Sequence, residues 1–412
     1  MREAISLTRE TTTPPTGHFD RASGLNNFVT GSQGRVDSTK NLTTKELDAL
    51  LEKARPSLSF DRTYVWDANI NGIVVRLITN SFHQYDFWTE NWCPSNNDGS
   101  VKPHAFIYSA SGVPGEKPHA YYCPERDTSV FVNTEYYGQC KSWALGMAAK
   151  ILEQRFNTHS IHGACAEVDG KGVVIIAPTG TGKTTQVNRL FQHAKGKVIG
   201  DDWLYIQHPR KPTAETQFIV NQPERRLYVR TENAYEEPWL RPIFDRCKLE
   251  NVVTDPAACH HEAGQKCGIR DTGEAKCYWG FGNSRAILPR DWMQGPHKVA
   301  DSAHMNLVVL LRRDKESPAE VKVDADEAIR ILREGRTLIR PGAGPKEKWG
   351  TYGSEPWYNP YLLQPDHEAQ ERFFRAELAT APCIIVNTGA PGETIQRTYQ
   401  RILKHLTGEG PA

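Results

Sequence analysis

The two most apolar runs of the chain, VVIIA and LVVLL, are each of strand length. Shorter apolar or alternating stretches at 62–66, 72–79, 197–199 and 383–386 predict further strands. Other segments carry apolar residues at helical spacing: Thr44–Ala54, 143–156, 184–193, Ala325–Glu334 and 394–406. The first opens on TTKE, a start suited to capping by its threonine. Strands interleaved with helices predict an α/β fold. After the strand at 72–79 comes an aromatic stretch, FHQYDFWTENW, which reads as core or interface packing, with pocket lining as the other reading. Residues 1–45 are rich in Thr, Pro, Gly and Ser and predict a loose arm. No internal repeat is visible.

From Gly172 to Thr185 an apolar strand runs straight into a glycine-rich loop, GVVIIAPTGTGKTT. The loop fits [AG]-x-x-x-x-G-K-[ST], with Ala177 first, then Gly182, Lys183 and Thr184. Gly180 and Gly182 let the backbone turn tightly enough for its N–H groups to face an anion. Lys183 is placed to reach the outer phosphates of a nucleotide, and the Thr184 hydroxyl to ligate Mg2+. The helix expected to begin near Lys183 adds its positive N-terminal end. Pro178, Thr179, Gly180, Thr181, Gly182, Lys183, Thr184 and Thr185 are therefore the candidate phosphate cradle. A strand before the loop and a helical stretch after it supply the context that the motif demands.

One helix and one turn further on, KVIGDDWLYI predicts a short strand ending at Asp201 and Asp202. Laid beside the phosphate-loop strand, it brings two carboxylates to the same sheet edge, where Mg2+ would sit. Two adjacent acids cannot both point at one ion without strain, so one is expected to hold metal and the other to orient or deprotonate a nucleophile. Upstream, SIHGACAEVDGKG places His162 on a strand that turns at Asp169-Gly170 into the phosphate-loop strand. His162 can then approach the phosphate zone; a packed structural histidine is the alternative.

Composition narrows the class. The 412 residues are 38% hydrophobic and 24% charged with a net charge of +1, a globular balance with no basic run for nucleic acid or an anionic membrane. No apolar stretch approaches a membrane span, and the N-terminus lacks the apolar core of a secretory signal. Nine scattered cysteines, an odd count, suggest reduced thiols and a cytoplasmic location.

The order H-G, then GTGKTT, then GDD resembles the phosphoenolpyruvate carboxykinase-like nucleotide-binding fold, shared by ATP-type phosphoenolpyruvate carboxykinases and HPr kinase/phosphorylases. The similarity to the ATP-type carboxykinases extends over about 134–406. EYYGQCKSW looks like that family's Tyr-and-Lys segment, which makes Tyr136 or Tyr137 and Lys141 counterparts. LENVV and GNSRAILP look like segments flanking the nucleotide, which implies a cofactor-binding role for Glu250 and contact of Arg285 with the transferring phosphate. VNTG and Thr398 fall where the family has its adenine side. Departures are equally clear. The run after LVVLL, RRDKESPAEVKV, differs from the family's Gly- and Pro-rich lid, and no arginine segment for the carboxylate of phosphoenolpyruvate is evident. The nucleotide half looks intact and the organic-acid half rebuilt.

Cys259-His260-His261, Cys267 and Cys277 lie in a loop-rich insert over 255–278, but without the close cysteine pairs typical of structural zinc. Arg225-Arg226 and Arg312-Arg313 could bind an anion, although exposed charge is the default for such pairs. The EPWYNPY segment could shape an acceptor pocket, or simply pack. The expected architecture is a mixed-sheet α/β domain over 46–158, on the substrate side, followed by a carboxykinase-like P-loop domain over 159–412. The expected function is ATP-dependent phosphoryl transfer to a hydroxyl of a small molecule (a sugar, nucleoside, hydroxy acid or amino acid), with Mg2+ or Mn2+. In that reading Thr184 and Asp202 hold the metal, Asp201 is the base, Arg285 stabilises the transferring group, and His162 binds a second metal or the γ-phosphate. A true carboxykinase, a protein-serine kinase like the HPr kinase branch, and a nucleotide-sensing protein without turnover are the competing expectations.

Overall fold

The computed structural model describes residues 34–95, 102–178, 180–211, 213, 216–253, 267–278, 283–339 and 346–408. The chain divides into two compact units, Met1–Ala148 with Glu224–Pro289, and Ala149–Pro223 with Arg290–Ala412. Both are mixed α/β. Among the described residues no helix is long and apolar enough to cross a membrane.

The first unit is built on a seven-stranded mixed sheet in the order Ser38–Thr39, His119–Cys123, Thr128–Val132, Ala105–Ala110, Ile73–Thr79, Tyr64–Ile70, Cys93–Pro94. Tyr64–Ile70 and Ile73–Thr79 form a hairpin through Asn71-Gly72, both at positive φ, the turn chemistry that matches strand twist. The helix Thr44–Ala54 starts with a complete capping box between Thr43 and Glu46 and buries Leu47 and Ala54 beside Ala110, Val130 and Val132. The aromatic stretch is a helix, Phe82–Asn91, capped by Ser81. Its His83, Gln84, Phe87, Trp88 and Asn91 are all buried. Polar His83, Gln84 and Asn91 share the buried side with Phe87 and Trp88, which is why the sequence shows no amphipathic signal there.

The unit boundary differs from the linear division expected at 158/159, because 224–289 returns to the N-terminal half. Arg226–Arg230, Arg285–Pro289 and Lys248–Glu250 make a three-stranded antiparallel sheet. Arg226 donates to Glu90 at 2.7 Å and Lys248 to Asp86 at 2.6 Å, tying that sheet to the helix Phe82–Asn91. Of the insert, Cys259, His260 and His261 lie outside the described residues. Cys267 is buried and caps the short helix Gly268–Thr272, accepting from the Arg270 N–H.

The second unit holds an eight-stranded sheet with helices on both faces. Its centre is Ser302–Arg312, parallel to both Lys171–Ile176 and Cys383–Asn387. Alternation along Lys171–Ile176 sends Val174 and Ile176 to one core and Val173 and Ile175 to the other. The first core includes Ile329 and Leu332 of the helix Ala325–Glu334 and Phe374 of the helix His367–Leu378. The second includes Val187, Leu190 and Phe191 of the helix Lys183–Gln192, with Ile402 and Leu406 of the helix Ile395–Thr407. Burial on both faces is why the apolar runs are continuous rather than alternating.

Candidate functional site

Thr158–Val168 and Lys171–Ile176 pair antiparallel through the Asp169-Gly170 turn, both residues at positive φ. The phosphate-loop strand therefore lies between the His162 strand and Ser302–Arg312. The strand Gly196–Gly200 pairs with Thr158–Val168 and not with the phosphate-loop strand, as sequence spacing had suggested. It continues after two residues as Trp203–Gln207 along the same neighbour, Trp203 facing His162 and Gly200 facing Cys165. Asp201 and Asp202 thus occupy a break between two strands beside His162 rather than a free strand end. An added Cβ at Gly200 would lie 2.1 Å from the Gln222 amide oxygen, so the Gln222 side chain would have to move.

Lys183 opens the helix Lys183–Gln192, and Gly182 precedes it at φ +106° with no side-chain cap. Gly180 lies at φ +78°. An added Cβ at Gly180 meets nothing within 4 Å, and at Gly182 only the Arg313 guanidinium at 4.0 Å. Open space thus lies over a loop whose conformation only glycine adopts without strain. Thr181 is buried, its hydroxyl bound to the Pro178 carbonyl at 2.8 Å. Thr179 lies outside the described residues. Thr185 is exposed on the helix.

Five candidate residues come together at the loop. The Thr184 hydroxyl donates to Asp201 Oδ2 at 3.0 Å. Lys183 Nζ lies 3.2 Å from His162 Nε2, and the same nitrogen lies 3.2 Å from Asp202 Oδ1. One imidazole nitrogen cannot serve both: bare, it accepts from Lys183; protonated, it donates to Asp202. The Tyr361 ring meets His162 edge to face at 5.3 Å and stacks on buried Trp203 at 5.9 Å, giving this corner an aromatic wall. The EPWYNPY segment thus supplies part of the site.

A cation that sequence reading left as default exposed charge also belongs here. Arg313 donates to the Gly180 carbonyl at 2.8 Å, to the Thr181 carbonyl at 3.4 Å and to the Thr388 hydroxyl at 3.1 Å. It fixes the carbonyl side of the loop. Its signal was its place just past the central strand Ser302–Arg312, parallel to the phosphate-loop strand.

Glu250 and Arg285 belong to the first unit and are paired neighbours in its small sheet. Glu250 is fully buried, and its carboxylate takes the Tyr137 N–H at 2.6 Å, meets His83 Nε2 at 2.9 Å and accepts from the Tyr228 hydroxyl. It is spent on this network. Burial, then the Glu250 charge, pushes the Tyr228 phenol well above its ordinary value. Arg285 stands over the Tyr228 ring at 5.8 Å. Burial works against its charge, but Tyr136, Tyr228, Glu250 and Glu232 together raise its pKa. Lys141, buried, lies 3.2 Å from Glu224. In the second unit, Thr398 is buried with its hydroxyl on Glu393 at 3.0 Å.

The donor set of the loop suits a phosphate chain with a hard divalent ion: positive-φ glycines, an uncapped helix start, a lysine, a hydroxyl and two carboxylates. The His162 imidazole adds a donor that Mn2+ accepts more readily than Mg2+ does. No model of a known protein family matches the chain, and none of the curated proteins matches it.

Proposed function

We propose that the second unit binds ATP with Mg2+ and transfers the terminal phosphoryl group to a hydroxyl of a small molecule. One observation carries this reading: Thr184–Asp201 and Lys183–His162–Asp202 converge beside a positive-φ glycine loop at a helix start. Lys183 and the loop amides hold the outer phosphates. Thr184 and Asp201 are the metal pair, and Asp202 with His162 faces the acceptor. This exchanges the roles expected for the two aspartates, because it is Asp201 that meets the Thr184 hydroxyl. When bound, Mg2+ neutralises charge on the phosphates as transfer proceeds.

With Lys183 turned to the phosphates, His162 Nε2 is left to Asp202. The pair can then orient the acceptor hydroxyl and take its proton as the new P–O bond forms and the bond to the ADP leaving group breaks. Arg313 acts at one remove, holding the loop carbonyls so that its amides stay aimed at the anion. The Tyr361 wall gives the acceptor a flat apolar surface. Free thiols at all eight described cysteines suit the cytoplasm, where ATP is abundant.

The test is 31P NMR of the purified protein with ATP, Mg2+ and Mn2+ against pooled hydroxylated metabolites, with oxaloacetate and a serine peptide run separately. A new phosphomonoester beside ADP, lost in Lys183→Ala, supports the reading. Phosphoenolpyruvate formed only with oxaloacetate, or phosphoserine formed only on the peptide, replaces it. Bound ATP with no product from any acceptor leaves a sensor and refutes the transferase.

A further inference from the structure

Away from the phosphate loop, the second unit buries a cluster that phosphoryl transfer does not use. His159 is on the strand Thr158–Val168, facing Ile206 of Trp203–Gln207; His208 follows that second strand directly. Glu377 lies in the last turn of the helix His367–Leu378. His159 is 0%, Glu377 1% and His208 7% exposed. Glu377 Oε1 stands 2.8 Å from His159 Nδ1 and 2.7 Å from His208 Nε2, and the three ligand atoms all fall within 4.8 Å of one another.

We propose that His159, His208 and Glu377 form a buried binding site for a divalent transition-metal ion, with Zn2+ the ion that this donor set suits.

Three observations carry the assignment. The first is charge. Among the described residues the carboxylate of Glu377 meets two imidazoles and no lysine or arginine, although a buried carboxylate needs a cationic partner or a metal. A second acid, Glu153, stands one residue further out, bound to the Gln370 amide and the Ser160 N–H. A divalent ion balances this charge with both imidazoles neutral, as two imidazolium ions would without it. The second is the wiring behind His159. Its Nε2 lies 2.9 Å from Gln370 Oε1, while the Gln370 amide nitrogen donates to Glu153 at 2.9 Å. That donation turns the amide oxygen toward His159, so Nε2–H donates to it, and Nδ1, 2.8 Å from the Glu377 oxygen, carries the proton that a metal ion would replace. A remote N–H held by a polar chain is how proteins orient a metal-bound histidine. The third is the shell. Phe373 stacks on His159 at 5.0 Å, Phe374 meets it edge-on at 4.6 Å, and Phe218 lies 4.5 Å from His208, excluding water around the donors.

The carboxylate oxygen already lies close to both nitrogens, and the three donors fall within 4.8 Å of one another. Bonds of about 2.0–2.2 Å in a tetrahedral site set ligand atoms about 3.3 Å apart, so the carboxylate oxygen must retreat about half an ångström from the nitrogens. The second oxygen of Glu377 supplies the fourth position. Two strands and a helix far apart in sequence would then be pinned at one point, the mark of a structural ion.

The experiment is elemental analysis of the full chain purified without chelators, followed by removal of metal with a strong chelator and reloading with Zn2+ or Co2+. About one equivalent of zinc is expected. The stripped protein should melt several degrees lower and recover on reloading, and Co2+ should give visible bands of a four-coordinate N/O site. His208→Gln should lose the ion while His162→Gln, at the phosphate loop, keeps it. Should His208→Gln fail to fold, the wild-type Co2+ spectrum and the melting shift decide alone. Less than a tenth of an equivalent of any transition metal, with no melting shift on adding Zn2+, overturns the proposal and leaves a hydrogen-bonded imidazolium–carboxylate cluster. Metal that departs with His162→Gln and stays with His208→Gln overturns it equally.

Discussion

Asp201 and Asp202 occupy one break in a strand but face different partners, so replacing each by asparagine should damage different steps. In Asp201→Asn the Thr184 hydroxyl keeps an acceptor, so the 3.0 Å contact and the local fold survive while one negative charge is lost beside the metal position. Two unit charges about 4 Å apart at an effective dielectric of about 20 interact by about 4 kcal/mol. Rehydration of the half-exposed site and the remaining polar ligand return about half of that. The net loss is about 2 kcal/mol, or about thirty-fold weaker binding of Mg2+ with ATP. Asp202→Asn instead removes the carboxylate 3.2 Å from His162 Nε2. Nucleotide and metal affinity should stay within about threefold of wild type, while kcat falls by about 10^2–10^4, the usual worth of a general base. Calorimetric titration with Mg-ATP and a turnover assay on the acceptor found by NMR separate the two effects. If Asp202→Asn weakens Mg-ATP tenfold or more while Asp201→Asn spares it, the division of roles proposed above is wrong.

Other substitutions test the scaffold. Lys298 is buried, and its ammonium donates to the carbonyls of Phe191, His193 and Ala194 at 3.3, 2.6 and 3.3 Å, closing the C-terminal end of the phosphate-loop helix. Lys298→Met should cost about 2–3 kcal/mol in urea unfolding, and a loss under about 1 kcal/mol would show that water replaces it readily. Gly182→Ala meets only Arg313 at 4.0 Å, so its penalty is conformational. It should be about 1–3 kcal/mol for an alanine forced to φ +106°, seen as weaker Mg-ATP binding with the melting temperature lowered modestly. Gly335→Ala adds a methyl 1.6 Å from the Glu355 carbonyl at a helix end held at φ +56°. It should destabilise by about 2–4 kcal/mol, and a variant that unfolds like wild type would mean this contact yields freely.

What the sequence revealed depended on how local the cause was. The glycine-rich loop, its strand and its helix are contiguous, and the spacing of Gly182, Lys183 and Thr184 carries the geometry with it. The capping box at Thr43 and Glu46 made the helix Thr44–Ala54 legible in the same way. The approach of His162 to the loop followed from one tight turn. Which edge the strand Gly196–Gly200 takes did not follow, since a helix and a turn reach either side of the phosphate-loop strand equally well. The helix Tyr137–Phe156 begins before the expected 143, because its first turns bury the polar Gln139, Lys141 and Ser142 and so show no apolar period. Arg313 and Thr388 meet the loop only through the parallel pairing of distant strands. His159 and Glu377 lie 218 residues apart and become neighbours only when the helix His367–Leu378 settles on the sheet.

The discontinuity of the two units also sets a timetable for the growing chain. At Ala148 the N-terminal unit still lacks Glu224–Pro289, which brings Arg226 to Glu90, Lys248 to Asp86 and Glu250 to His83. At synthesis speeds of about 5–20 residues per second, about 7–30 seconds separate emergence of Ala148 from that of Pro289. During that interval the phosphate-loop hairpin has already been made but lacks Ser302–Arg312, its parallel neighbour on one side. The seven-stranded sheet of the first unit is then complete but lacks its small partner sheet, while the eight-stranded sheet of the second unit is half made, with apolar faces open to solvent. A chaperone that holds such faces should bind this nascent chain longest while residues between about 150 and 290 are emerging.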